Sequence, residues 1–132
     1  MLTLEHFLTR EGLTDLLSTA TYGNYWPHIR TYKEDREKGL FEDCDCLEDK
    51  WAVAILEGHG LAVYDNYETD SELNEGEKPT RHSITLDDVK KGLELMREKY
   101  PRHWADLVEE SEDLVTCDIW LQLTVFGEVI YG

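Results

Sequence analysis

The chain has 132 residues, 29 of them acidic against 13 lysines and arginines, for a net charge of −16 at pH 7. That length suits one domain, and 41% hydrophobic residues are enough to bury a core without metal or disulfide support. The charge argues against direct binding to nucleic-acid backbones and anionic membranes, which need a Lys/Arg footprint. It suits a basic protein partner and serves solubility equally well.

Three cysteines, Cys44, Cys46 and Cys117, are an odd number. The opening MLTLEHFLTREG lacks the basic start and apolar centre of a secretion signal, and no apolar run is long enough to span a membrane. A reducing cytoplasm is the expected compartment.

The first segment repeats apolar residues at helical spacing, through Leu4, Phe7 and Leu8 and again through Leu13, Leu16 and Leu17. Thr3 is placed to cap it, and Gly12 to separate a short helix from a longer one. TYGNYWPHI then breaks the helix, with Gly23 and Asn24 in a turn and Pro27 biasing Trp26 away from helix. WAVAILEG, with Val53 and Ile55, reads as a buried strand. HGLAVYDNYET reads as its antiparallel partner across the turn Gly58-His59-Gly60. DSELNEGEKPTR is a polar loop, and HSITL a further extended segment.

TLDDVKKGLELMREKY is the clearest helix. Thr85 or Asp87 caps it, acids open it and bases close it, and Val89, Leu93 and Met96 form its buried face. Pro101 starts a second short helix through Trp104, Leu107 and Val108. From Val115 to Val125 the chain alternates as a strand would, yet Leu114, Cys117, Leu121 and Val125 also make a helical stripe. Length decides for helix, with Glu112 and Asp113 at its start and Gly127 as its stop. The expected fold is α+β: an N-terminal helix, a small antiparallel sheet and C-terminal helices packed on it, with GEVIYG laying Tyr131 back onto the core.

The closing DIWLQLTVFGEVIYG resembles the C-terminus of a family of small, uncharacterised bacteriophage proteins. These end in a pattern matched here by Gln122, Phe126, Gly127, Glu128, Val129, Ile130, Tyr131 and Gly132. ATYGNYW, with Tyr25 and Trp26, and HSITLDDVKKGLELM, with its internal Gly92, are similar to two further stretches of that family. Residues from about Thr31 to Asn74 have no counterpart, and the tail lacks the alanine-rich sequence expected there. The resemblance implies a phage or prophage source and action inside an infected bacterium; it carries no catalytic residue.

The middle of the chain supplies the candidate partner-binding residues: Glu34, Asp35, Glu37, Glu42, Asp43, Asp45, Glu48 and Asp49, then Asp65, Glu68, Asp70 and Glu72. If one face gathers them, spaced carboxylates imitate a phosphate backbone, as small acidic phage proteins do when they block restriction or CRISPR enzymes. A solvated loop surface is the plainer alternative.

Cys44-x-Cys46 lacks the further ligands of a closed zinc site, and surrounding negative charge raises its thiols. His6, His28, His59, His82 and His103 are scattered, and no nucleophile, phosphate-loop or metalloprotease motif occurs. No metal, cofactor or enzymatic step is expected. The leading expectation is an acidic inhibitor of a basic, nucleic-acid-binding host protein. The aromatics Tyr22, Tyr25, Trp26, Tyr32, Trp104, Trp120, Phe126 and Tyr131 suit a shared core first; exposed, they would anchor the runner-up, an interaction or regulatory domain acting alone or as a homodimer.

Overall fold

A computed structural model describes residues 1–71, 76–111 and 113–132. The fold is α+β, with seven α-helices and one three-stranded antiparallel sheet among the described residues. The chain opens with a 3-10 turn, Leu4–Leu8, and helix α1, Arg10–Thr21. The break between them falls at Thr9 rather than Gly12, because Thr9 Oγ1 accepts from the Gly12 amide (3.1 Å) and caps the helix. A Cβ on Gly12 would stand 2.1 Å from the His6 carbonyl oxygen, so glycine is what lets the turn fold down onto the helix start.

The expected strand WAVAILEG is instead the body of helix α3, Leu47–Leu56, and the hairpin expected across Gly58-His59-Gly60 falls with it. Two physical reasons account for the correction. The helix starts ahead of the apolar run, in LEDK, with Glu48 and Asp49 in its first turn where acids favour a helix N-terminus. Then Trp51 through Ile55 are all buried, so no polar residue marks the 3.6-residue period.

Strand β1, Pro27–Arg30, lies where the sequence reading gives only a break after the first helix. Strand β2, Leu61–Asp65, falls within its expected segment but pairs elsewhere, and β3, His82–Ile84, follows the expected extended segment. β2 lies central, with Pro27 opposite Asp65 on one side and Leu61 opposite Ile84 on the other. Two one-turn helices, α2, Lys33–Glu37, and α4, Asn66–Asp70, escaped the sequence reading. α4 replaces the second half of the expected strand, where Asp65 caps it through the Tyr67 amide (3.0 Å).

The C-terminal half follows expectation. Helix α5, Leu86–Lys99, opens with a reciprocal box: Thr85 Oγ1 accepts from the Asp88 amide (3.2 Å) and Asp88 Oδ2 accepts from the Thr85 amide (2.9 Å). Val89, Leu93 and Met96 are wholly buried. Helix α6, Pro101–Val108, begins at its proline. Helix α7, Leu114–Phe126, is capped by Asp113, which accepts from the Thr116 amide (2.8 Å), and ends at left-handed Gly127. Glu112 lies outside the described residues.

α7 packs against α1, α5 and β3, and α1 also packs against α3. Beyond Gly127 the tail folds back onto α7. Buried Gln122 accepts from the Ile130 and Tyr131 amides (2.8 Å each) and donates to the Tyr131 carbonyl (3.2 Å) and Asp118 Oδ2 (2.8 Å). Trp26 stacks on Phe126 at 4.9 Å and donates its indole N–H to Asp118 Oδ1 (2.7 Å). The residues of the closing motif therefore have structural work: glutamine clamps, glycine turns, and the aromatics fill.

Candidate protein-binding surface

The fold divides the acids expected to act together. Asp35 is buried and its Oδ1 lies 2.8 Å from His59 Nδ1, tying α2 to the turn after α3. Asp65 is buried beneath Tyr131, whose hydroxyl donates to Asp65 Oδ2. These two carboxylates serve the interior and are removed from any partner surface, a correction set by burial. Glu68 accepts from the Thr80 amide (2.6 Å), which holds its carboxyl below the usual range. Asp70 accepts from the Tyr25 hydroxyl, and Glu37 pairs with Lys33 at 3.6 Å. Glu34, Glu42 and Asp45 face solvent, and Glu48 is half-buried. Glu72 lies outside the described residues.

A different acidic surface is built around α1. Arg10, the sole base on that helix, is gripped from α3 and the loop before it. Its Nε and Nη2 donate to the two oxygens of Asp49 (2.7 and 2.6 Å), and Nη1 reaches Asp43 Oδ2 at 3.2 Å. The fork geometry suits a guanidinium facing a carboxylate. It holds Asp49 below the usual carboxyl range and raises Arg10 above its own. With that cation engaged, the outward stripe of α1 is acidic. Glu11 and Asp15 share a shallow depression of about 450 Å³ with Asp45, Asp49, Thr14 and the paired Arg10. On its other flank Asp15 meets Glu110, at the end of α6, across a second concavity.

The stripe ends in exposed apolar side chains. Tyr22 is 73% exposed, and beside it Leu114 and Val115, at the start of α7, are 47% and 60% exposed. Asp118 lines the same small concavity. Of the other aromatics, Trp26 and Trp120 are wholly buried, and Trp104 is half-buried beneath the Arg97 guanidinium (5.8 Å). Tyr25 and Tyr67 are half-exposed and meet edge to face at 5.3 Å. The expected aromatic set thus splits between core and surface.

Sequence reasoning missed Glu11, Asp15 and Glu110 as neighbours around α1. A signal was present: no lysine or arginine follows Arg102, while Asp106, Glu109, Glu110, Glu112, Asp113, Asp118 and Glu128 do. Their meeting with α1 depends on tertiary packing.

Cys44 is half-buried beside Arg10, and burial raises its thiol above the ordinary value; Cys46 is exposed and Cys117 buried. Among the described residues, no group of three His, Cys, Asp or Glu is arranged to hold a metal ion, and no helix is long and apolar enough to cross a membrane. No family model, curated protein or solved structure matches the chain.

Proposed function

We propose that this chain is a protein-binding domain that offers the acidic face around α1 to a basic partner. We place it among the phage-encoded inhibitors that occupy the nucleic-acid site of a host restriction or CRISPR protein inside the infected cell. The observation that carries the reading is the acidic stripe Glu11 and Asp15 flanked by Asp45 and Glu110, with Arg10 beside it held in ion pairs by Asp43 and Asp49. Such a face attracts a nucleic-acid-binding surface and repels nucleic acid itself. The exposed cluster of Tyr22, Leu114 and Val115 favours a second reading, an apolar contact with a partner or with another copy.

The test is capture of partners from a bacterial lysate at low and high salt, followed by mass spectrometry. The proposal expects a DNA-binding protein released by salt and by added DNA. The triple variant Glu11→Lys, Asp15→Lys, Asp45→Lys, which leaves the Arg10 pairs intact, should abolish its capture. Retention that survives this charge reversal and salt, but is lost in Tyr22→Ser or Val115→Ser, would replace the inhibitor reading with the apolar one.

A further inference from the structure

We propose that the outward face of the sheet is a binding site for a nucleoside phosphate, separate from the acidic face. Strand pairing sets its composition. His28 lies opposite Tyr64, Arg30 opposite Ala62, and Ala62 opposite Ser83, so these five side chains share one face. The other face carries Ile29, Val63, Leu61 and Ile84, and its β3 edge packs toward α7. The main helix contacts of the strands are α7 at β3 and α3 and α4 at β2, while α2 borders the outward face through Lys33 and Arg36.

A concavity of about 280 Å³ opens there, with Arg30, Lys33, Arg36 and Arg81 around it and Tyr32 and Tyr64 among its walls. Ala62, the smallest side chain on the face, is 6% exposed and makes the floor. Four of the thirteen bases of the chain line this site and no acid does. The depressions around α1 carry Glu11, Asp15, Asp45, Asp49 and Glu110 against the one ion-paired cation Arg10 and His6.

The cations are also arranged for use. Arg36 is anchored by donating from Nη1 to the Thr31 carbonyl and to Thr31 Oγ1 (3.0 Å). The Arg81 guanidinium lies over the Tyr32 ring at 6.0 Å, while Arg30 has no carboxylate partner among the described residues. Lys33 is shared with Glu37. Planar guanidinium forks match a phosphate in a way that ammonium groups do not. Tyrosine rings beside them give a nucleobase a surface to stack on. The volume lies near the lower bound for small-molecule sites, roughly 300 Å³, which suits a mononucleotide. The net charge of the protein opposes this ligand at a distance, but at physiological salt the field is screened over about 8 Å, and the local guanidinium groups of Arg30, Arg36 and Arg81, none ion-paired among the described residues, decide.

The experiment is titration of the intact, nitrogen-labelled protein with adenosine monophosphate, read by NMR shifts and by calorimetry. Saturable binding is expected, with shifts confined to Arg30, Tyr32, Ala62, Tyr64, Arg81 and their neighbours. Arg30→Gln and Arg81→Gln, both at exposed positions, should each weaken it about tenfold, the loss of one hydrogen-bonded charge. Lys99→Gln, which removes a charge from the end of α5, should leave it unchanged. Unperturbed spectra elsewhere establish that the variants fold. Absence of saturation at millimolar ligand, equal weakening by Lys99→Gln, or binding of inorganic phosphate as tight as that of the nucleotide would each overturn the proposal.

Discussion

Tyr131 shows how one side chain links the tail to pH. Burial, first, and then its hydrogen bond to Asp65 push its phenol from 10.0 up to about 12. The neutral phenol is the form the folded state prefers. Its contribution is therefore complete below about pH 10, where the unfolded phenol also keeps its proton, and is lost as pH rises from there toward 12. Urea midpoints measured from neutral pH upward should fall steeply above about pH 10, and Tyr131→Phe should flatten that fall while lowering the midpoint at neutral pH. An unchanged alkaline limb in the variant would assign the loss to other groups. The clamp on Tyr131 was half legible: glycine, aromatic and tail position announced a fold-back, whereas Gln122 stood out only as one position of the closing pattern, with no role attached. Its role exists only because Asp118 and two tail amides converge on it.

At the level of elements, the crossing of α5 and α7 depends on Gly92. A Cβ there would lie 2.0 Å from Thr124 Oγ1 and 3.1 Å from Thr124 Cα. Glycine inside a helix ordinarily costs about 1 kcal/mol relative to alanine, so an unhindered Gly92→Ala would stabilise. Here overpacking reverses the sign, and a loss of about 1–3 kcal/mol is expected. Thr124→Ala removes the nearest atom, so the double variant should recover part of that loss, and chemical denaturation of the four proteins measures the coupling. Simple additivity would show that the helices separate freely at this point. The same scale explains which elements could be read in advance. α5 and α6 carry caps, a proline start or a polar face that betray their period. α3 has no polar face in its apolar core, so WAVAIL reads as a buried strand unless LEDK is taken as the first turn of a helix. β1 is only four residues long, begins with proline and gains its identity from pairing with β2, a partner distant in sequence. The acidic surface was legible as an excess of charge, but its membership was not, since Asp35 and Asp65 are consumed inside and Asp15 meets Glu110 only through packing.

For the whole molecule, a charge of −16 with many acids exposed stores self-repulsion that salt relieves. Raising sodium chloride from about 0.02 to about 0.5 M should increase Tm by on the order of 5 °C, the equivalent of roughly 1 kcal/mol in a domain of this size. Calorimetric scans check this, and a Tm that falls with salt would mean that ion pairs such as Arg10 with Asp43 and Asp49 outweigh the repulsion. The topology has a consequence in time as well. β2 pairs with residues 27–30 through partners such as Pro27 and Asp65, and with β3 through Leu61 and Ile84, so its partners come from both directions along the chain. Helices α5, α6 and α7 are consecutive and touch one another. Forming the sheet therefore closes long loops, including the one that contains α2 and α3, before any strand contact is gained. The helical hairpins close shorter ones, which makes the central strand the slow step in assembly and leaves its backbone edges open to foreign strands until β1 and β3 arrive.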